Sequence, residues 1–366
     1  MQVGFVVNPI AGMGGSVGLK GTDGSEIVDE AIKRGASQTS PQRASDALTA
    51  VRQAGLAIEW LTCSGGMGQD ELTSCGLASR AVYEPREPTS SHDTASAVRK
   101  FIEAGAGLII FAGGDGTARD VLKEADKRIP ILGIPTGVKM QSAVFVNRPE
   151  ELADTLMTFI ASGVTKEAEV MDIDEDAFRD GVLKARLYDI ALVPDDNAHM
   201  QSGKMSYHSG TAEDEAAEIG QYIVETMEED VLYIIGPGTT AAAIASALGE
   251  DKTLLGTDAY VRGKRVVRDG GERDLLDALE KWTRAKIVVS PIGAQGFFFG
   301  RGNQQISARV IKRVGKENVI VVASPTKLRN TPSLRVDTGV RQLDAELRGK
   351  LKIVTGYKRK KLVEVS

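Results

Sequence analysis

The stretch Leu108–Asp120, LIIFAGGDGTARD, constrains this chain more than any other. Leu108, Ile109, Ile110 and Phe111 are consecutive apolar residues with no polar alternation, which suits a strand buried on both faces. The run breaks into Gly113, Gly114, Asp115 and Gly116, and Thr117–Asp126 reads as a helix start. Strand, glycine turn and helix in that order leave the first amides of the helix without intrahelical partners, and glycines let a ligand come close to them. Phosphate is the natural guest. Asp115 is the odd member, because a carboxylate repels a phosphate; it is there to take a proton or to hold Mg²⁺. The plainer reading is a tight turn, since Asp and Gly form turns for ordinary steric reasons.

The rest of the chain repeats the strand-to-glycine junction. Val3–Val7 runs into Asn8-Pro9 and the glycine-dense Ala11–Gly24, where Gly12, Gly14 and Gly18 fit a loose dinucleotide spacing or a surface loop equally. Ser40-Pro41 opens a helix with Ala44, Ala47, Leu48 and Val51 on one face, Gly55 stops it, and Leu56–Leu61 follows as a strand. Thr94–Glu103 is a further amphipathic helix. Ile129–Ile134 leads to Thr136, Gly137 and Lys139, the lysine meeting either a phosphate or solvent. Pro149–Ile160 is a helix, and the domain boundary is placed soon after it. These patterns predict two α/β domains: residues 1–163, doubly wound in three layers, and residues 164–366, mixed, with a site in the cleft between them.

In the second half, Glu167–Val193 predicts antiparallel strands around the acidic turn Asp174–Gly181. Pro194–Gly210 has no apolar period and carries Asp195, Asp196, His199, Lys204 and His208, as a substrate loop or a solvated connector would. Val231–Ile235 leads into Gly236, Gly238, Thr239 and Thr240 at the head of an alanine-rich helix, a second candidate anion cradle. Ile287–Val289 leads into Gly293, Gly296, Gly300 and Gly302, with Arg301 and Asn303 offering fork and amide recognition of phosphate or base. Val319–Val322 leads to Lys327 and Arg329, and Lys358–Lys361 reads as a solubilising basic tail.

Composition narrows the classes. With 366 residues the chain is long enough to bury its core without metals or disulfides, and a net charge of −5 has the wrong sign for nucleic-acid binding by bulk electrostatics. Cys63 and Cys75 make no disulfide framework, and His92, His199 and His208 have no metal-ligand spacing. The first residues lack a basic region and a long apolar core, and no apolar run reaches membrane length, so the reading is a soluble, cytoplasmic protein. No G-x-x-x-x-G-K-[ST] loop is present.

The Gly113–Thr117 segment after its strand resembles the signature of the NAD kinase and diacylglycerol kinase superfamily. The likeness runs over most of the chain and is greatest to the longer ATP-NAD kinase branch, which includes the X protein of acetoin catabolism operons. The resemblance implies an ATP-dependent kinase, with Mg²⁺ accompanying ATP (or polyphosphate) as donor and NAD as acceptor. Asp115 would then activate the 2′-hydroxyl of the adenosine ribose to give NADP. It also implies that Asn8, after the first strand, and Thr136, Gly137 and Lys139 lie at the nucleotide, and that the protein is a homo-oligomer, a dimer or tetramer. Two segments depart from the family pattern. Where ordinary members carry Ala-Leu-Asn-Glu/Asp this chain has Ala191-Leu192-Val193-Pro194, and the Thr-Pro-Thr-Gly-Ser-Thr-Ala-Tyr segment is Ser290–Phe297, SPIGAQGF. Both losses fall on the acceptor side, which leaves open a kinase of another small alcohol or a non-catalytic NAD(H)/ATP sensor. A lipid substrate is disfavoured by the absence of a basic amphipathic membrane helix.

Overall fold

The structure, a computed structural model, describes residues 1–15, 17–19, 25–136, 140–173, 185–201, 210–292, 295–331 and 333–366. Contacts divide the chain into a first unit, Met1–Met13, Gly21–Asp174 and Lys184–Gly203, and a second, Gly14–Lys20, Glu175–Leu183 and Lys204–Ser366.

The first unit runs β1 (Gln2–Val7), α1 (Ser25–Lys33), α2 (Ser40–Gln53), β2 (Glu59–Cys63), α3 (Gln69–Ser74), β3 (Ser79–Tyr83), α4 (Ser91–Glu103), β4 (Leu108–Gly113), α5 (Asp115–Ala125), β5 (Ile131–Pro135), α6 (Leu152–Ser162), β6 (Thr165–Ile173) and β7 (Ala185–Pro194). Strands β1 to β5 form one parallel sheet in the order β3-β2-β1-β4-β5. Helices α4 and α5 pack together on one face, and α2 with α6 on the other, so the apolar run of β4 is buried along its whole length. That is the doubly wound, three-layer arrangement the sequence predicts. Helix α4 starts three residues before the predicted Thr94, because Ser90 and Asp93 form a capping box there. Strands β6 and β7 pair antiparallel from Thr165↔Pro194, and this hairpin lies in the first unit. The turn expected at Asp174–Gly181 falls outside the described residues.

The second unit runs α7 (Gly210–Glu225), β8 (Leu232–Ile235), α8 (Thr239–Ala247), β9 (Asp258–Val261), β10 (Lys264–Val267), α9 (Glu272–Lys281), β11 (Ala285–Val289), β12 (Phe297–Phe299), α10 (Ala308–Val314), β13 (Val319–Val322), α11 (Pro325–Arg329), β14 (Arg335–Val336), α12 (Arg341–Leu347), β15 (Gly349–Gly356) and β16 (Arg359–Val365). Its seven-stranded sheet, β10-β9-β8-β11-β13-β15-β16, is mixed: the four central strands are parallel and the margins antiparallel. Period-two alternation along β8 sends Leu232 and Ile234 to the core under α9 and α10, and Tyr233 and Ile235 to the core under α7 and α8. Arg262 and Gly263 both take positive φ, 49° and 72°, the two-residue primed turn that joins β9 to β10.

Lys358–Lys361 is not a tail. Lys358 sits in a turn with φ of 54°, and residues 359–365 return as the edge strand β16. The lysines are exposed along that edge while Val365 is buried, so their charges guard an open strand against pairing with another chain.

Two features generate tests. A Cβ built on Gly133 in β5 would lie 2.2 Å from the Phe145 ring and 2.8 Å from Phe111, two rings packed edge to face. Gly133→Ala should therefore cost about 1–3 kcal/mol through overpacking, read as a lower thermal midpoint by circular dichroism. Cys63 and Cys75 are buried free thiols, and burial pushes the Cys63 thiol up to about 12. The native protein should leave Cys63 unalkylated by iodoacetamide at pH 8, with labelling appearing only after denaturation, as peptide mass spectrometry would show.

Candidate active site

In the first sheet the chain passes from β1 to β2 on one side and from β4 to β5 on the other, so the winding reverses between β1 and β4. Open parallel sheets leave a crevice at the carboxyl ends of the strands at such a point. Asn8 follows β1 there. Its amide donates to the Ala112 carbonyl (2.9 Å), its Nδ2 donates to Thr117 Oγ1 (3.0 Å), and its Oδ1 accepts from the Ile10 amide (3.3 Å). Thr136 follows β5 and donates its amide to the Gly113 carbonyl at 3.1 Å. Asn8 is thus tied to Ala112 and Thr117, and Thr136 to the next residue, Gly113, at neighbouring strand ends.

Steric reasons account for two glycines here. A Cβ on Gly113 would stand 2.4 Å from Thr117 Cβ and Oγ1, and one on Gly12, whose φ is +80°, would stand 2.0 Å from the Thr136 carbonyl. Gly114 is the N-cap of α5 in extended geometry and offers no side-chain cap, so the amides of Asp115, Gly116 and Thr117 begin the helix uncapped. Thr136 is 1% exposed, and its Oγ1 has no hydrogen-bond partner among the described residues, the kind of orphan a bound ligand or water would satisfy.

Asp115 is the first residue of α5 and is buried. Its Oδ2 accepts the Gln141 amide at 2.7 Å and its Oδ1 accepts the Ser142 amide at 3.0 Å. Burial pushes this carboxyl above the usual carboxylate range, against the opposing pull of the Ser142 hydroxyl, the two amides and the Arg119 charge. Each oxygen uses one lone pair on an amide and keeps another, so the group clamps the segment after β5 and can still accept a proton. Among the described residues no three His, Cys, Asp or Glu side chains gather to hold a metal ion. Gln141 and Ser142 carry no sequence signal; only the fold brings them to the acid. Gly137 and Lys139 lie outside the described residues.

The second unit places its own candidates at the carboxyl ends of β8, β11 and β13. The winding reverses here too, between β8 and β11. Gly236 donates its amide to Val288 O at 2.9 Å; Gly238, with φ of +111°, donates to Leu254 O at 2.8 Å and leaves α8 without a side-chain cap. Thr239 is exposed and Thr240 buried in the first turn of α8. Lys327 reaches from α11 to donate to Ser290 Oγ, just beyond β11, at 2.8 Å. Gly293 lies outside the described residues. Asn303 is engaged within its own loop, donating to Phe298 O (2.8 Å) and accepting from the Gly300 amide (3.0 Å). Arg301 is buried with its guanidinium 4.5 Å over the Phe297 ring and 3.9 Å from Asp337. In the first unit, buried Asp196 takes His199 Nδ1 at 2.8 Å and Thr155 Oγ1 at 3.0 Å, which closes the loop after β7. Lys204 and His208 lie outside the described residues.

Gly113→Ala should displace Thr117 and loosen its tie to Asn8. A displacement near 1 Å in a reactive site costs about a hundredfold in rate, so steady-state turnover should fall by that order, with the thermal midpoint lowered as for Gly133→Ala.

Two family models match the chain, the ATP-NAD kinase N-terminal domain over residues 3–164 and the ATP-NAD kinase C-terminal domain over residues 228–365. No curated protein and no solved structure matches it.

Proposed function

The chain belongs to the ATP-NAD kinase family, and we propose that it transfers the γ-phosphoryl group of MgATP to the adenosine ribose 2′-hydroxyl of NAD, giving NADP and ADP. The observation that carries this reading is Asp115, a buried carboxylate fixed by two amides at the first turn of an uncapped helix, where the winding of a parallel sheet reverses. In the step, the acceptor oxygen forms its bond to the γ-phosphorus as the bond from that phosphorus to the bridging oxygen of ADP breaks. The hydroxyl proton passes to a free lone pair of Asp115. Mg²⁺ enters as part of the donor, and polyphosphate is a second donor to test.

Support for the remaining residues is local. Asn8 and Thr117 hold one wall of the reversal point, Thr136 offers an unsatisfied hydroxyl, and Gly113, Gly114 and Gly116 bring α5 close behind β4. Gly236, Gly238, Thr239 and Thr240 give the second unit an uncapped helix start suited to an anion. In the same reading residues 1–163 and 164–366 are the two domains of a cytoplasmic homo-oligomer. Among the described residues no helix is long and apolar enough to cross a membrane.

A second reading, a sensor that binds NAD(H) or ATP without turnover or a kinase of another small alcohol, rests on β7. Ala191 and Val193 of that strand are buried and offer no amide or acid to a dinucleotide. One experiment separates the readings: ADP release from purified protein with MgATP and NAD, beside direct NAD binding by calorimetry. Turnover that Asp115→Asn lowers by about a hundred- to ten-thousandfold, with ATP affinity kept within a few-fold, is expected. NAD binding without ADP release would favour the sensor, ADP release with a different alcohol would move the acceptor, and near-normal kcat in Asp115→Asn would end the general-base role.

A further inference from the structure

The loop after β7 is built rather than merely solvated. Asp196, Met200 and Gln201 are buried, and the Asp196 carboxylate is surrounded by donors. Its Oδ1 accepts the amides of Ala198 (3.1 Å) and His199 (3.2 Å), while its Oδ2 accepts Thr155 Oγ1 (3.0 Å) and meets His199 Nδ1 at 2.8 Å. Burial opposes ionisation of this carboxyl, but the His199 ring, the Thr155 hydroxyl and the His199 amide hold it below the usual carboxylate range. An ionised carboxylate only accepts hydrogen bonds, so Nδ1 must carry the hydrogen, and in the neutral ring the lone pair lies on Nε2. Among the described residues Nε2 has no partner, and the side chain is 34% exposed, so this edge of the ring can be reached from outside.

The backbone fixes where that nitrogen stands. After β5 the chain meets the same strand in a parallel bridge, Gly133↔Phe145; two residues further come Pro135 and Asn147, where pairing stops because proline has no N–H. Asn147 donates its amide to His199 O (2.7 Å) and its Nδ2 to Ala198 O (3.2 Å), beside the antiparallel bridge Val146↔Met200. His199 therefore stands level with the carboxyl end of β5, two strand spacings or about 10 Å across. Thr136 follows Pro135 at that same end, and its buried Oγ1 has no partner among the described residues. Two polar groups open to a ligand thus lie within the span of one nucleotide, at the end of the sheet where open parallel sheets bind their ligands.

We propose that His199 is a substrate-contacting residue, its Nε2 accepting a hydrogen bond from a ribose hydroxyl of NAD. The inference rests on the reading that the chain binds NAD, and it holds whether or not turnover follows. A lone pair on a neutral ring matches a hydroxyl and repels the oxygens of a phosphate, and the Asp196 carboxylate behind the ring adds to that repulsion. Asp195, the neighbouring acid, is exposed and pairs with Lys166 at 3.5 Å.

The test uses protein labelled with ¹⁵N-histidine. The chain has three histidines, so the spectrum holds three rings, and His199→Asn assigns one of them by its loss. The expected result is a His199 ring protonated at Nδ1 whose Nε2 signal moves on addition of NAD and not of MgATP. The same variant separates contact from scaffolding, because the asparagine amide replaces the Nδ1 donor to Asp196 and leaves nothing in the place of Nε2. It should raise the KM for NAD, or its Kd in the absence of turnover, by about five- to tenfold, with kcat and the KM for MgATP unchanged. An Nε2 signal indifferent to NAD, or a His199→Asn protein that binds NAD as tightly as the parent, overturns the proposal. The two levels fail separately: NAD that binds by calorimetry without a response from His199 removes this contact alone, whereas no NAD binding at all removes the contact and the reading beneath it.

Discussion

A buried carboxylate must be compensated, and in the first unit the compensation decides how the chain runs after β5. Asp115 sits at 7% exposure, where an isolated charge would be far too costly to keep. The amides of Gln141 and Ser142 supply what water no longer can. Between them and Asn147 the chain lies beside β5 in a parallel bridge: the Gly133 amide donates to Val144 O and the Val146 amide to Gly133 O. Gly133 lacks a side chain because that parallel segment brings Phe145 against it. Acid, amides, glycine and phenylalanine form one set of mutual requirements, and altering any of them affects the rest.

How much of this could be read in the sequence depends on the range of the interaction. The apolar run of β4, the proline-led start of α2 and the alternation behind the β6–β7 hairpin are local patterns, and the structure follows them to within a few residues. The glycines of the Gly113–Thr117 turn were legible as a set, but their reasons were not. Gly113 is required by the Thr117 side chain four residues on, a contact that exists only once α5 has formed. Strand β3, with three of its five positions only partly buried at a sheet edge, has too little apolar periodicity to announce itself. Strand β16 was missed for the opposite reason: its lysines read as a solvated tail because charge at an exposed edge and charge in a free tail look alike in sequence.

The candidate site shows the same division. Asp115, Asn8 and Thr136 follow the ends of three apolar runs, and adjacent strand ends bring them together, so position along the chain was a sufficient guide. Asn303 was singled out for its amide, but Gly300 and Gly302, with φ of +99° and +80°, fold their loop so that the amide closes on Phe298 and Gly300. A side chain's recognition chemistry is visible in sequence; whether its own backbone has already taken it is not. Ser142 illustrates the converse, a residue without a motif whose amide meets the acid only because the chain folds that way after β5.

Both units reverse their winding beside a glycine-led helix, yet the two strand ends differ in sign. Asp115 lies at the first, and Lys327 with Ser290 at the second. Electrostatics separates what each can hold. A carboxylate destabilises a phosphate placed against it, most of all where water is excluded, so the first end suits a neutral hydroxyl that is about to lose a proton. A lysine that donates to a serine hydroxyl brings positive charge to the carboxyl end of β11, which suits an anionic group.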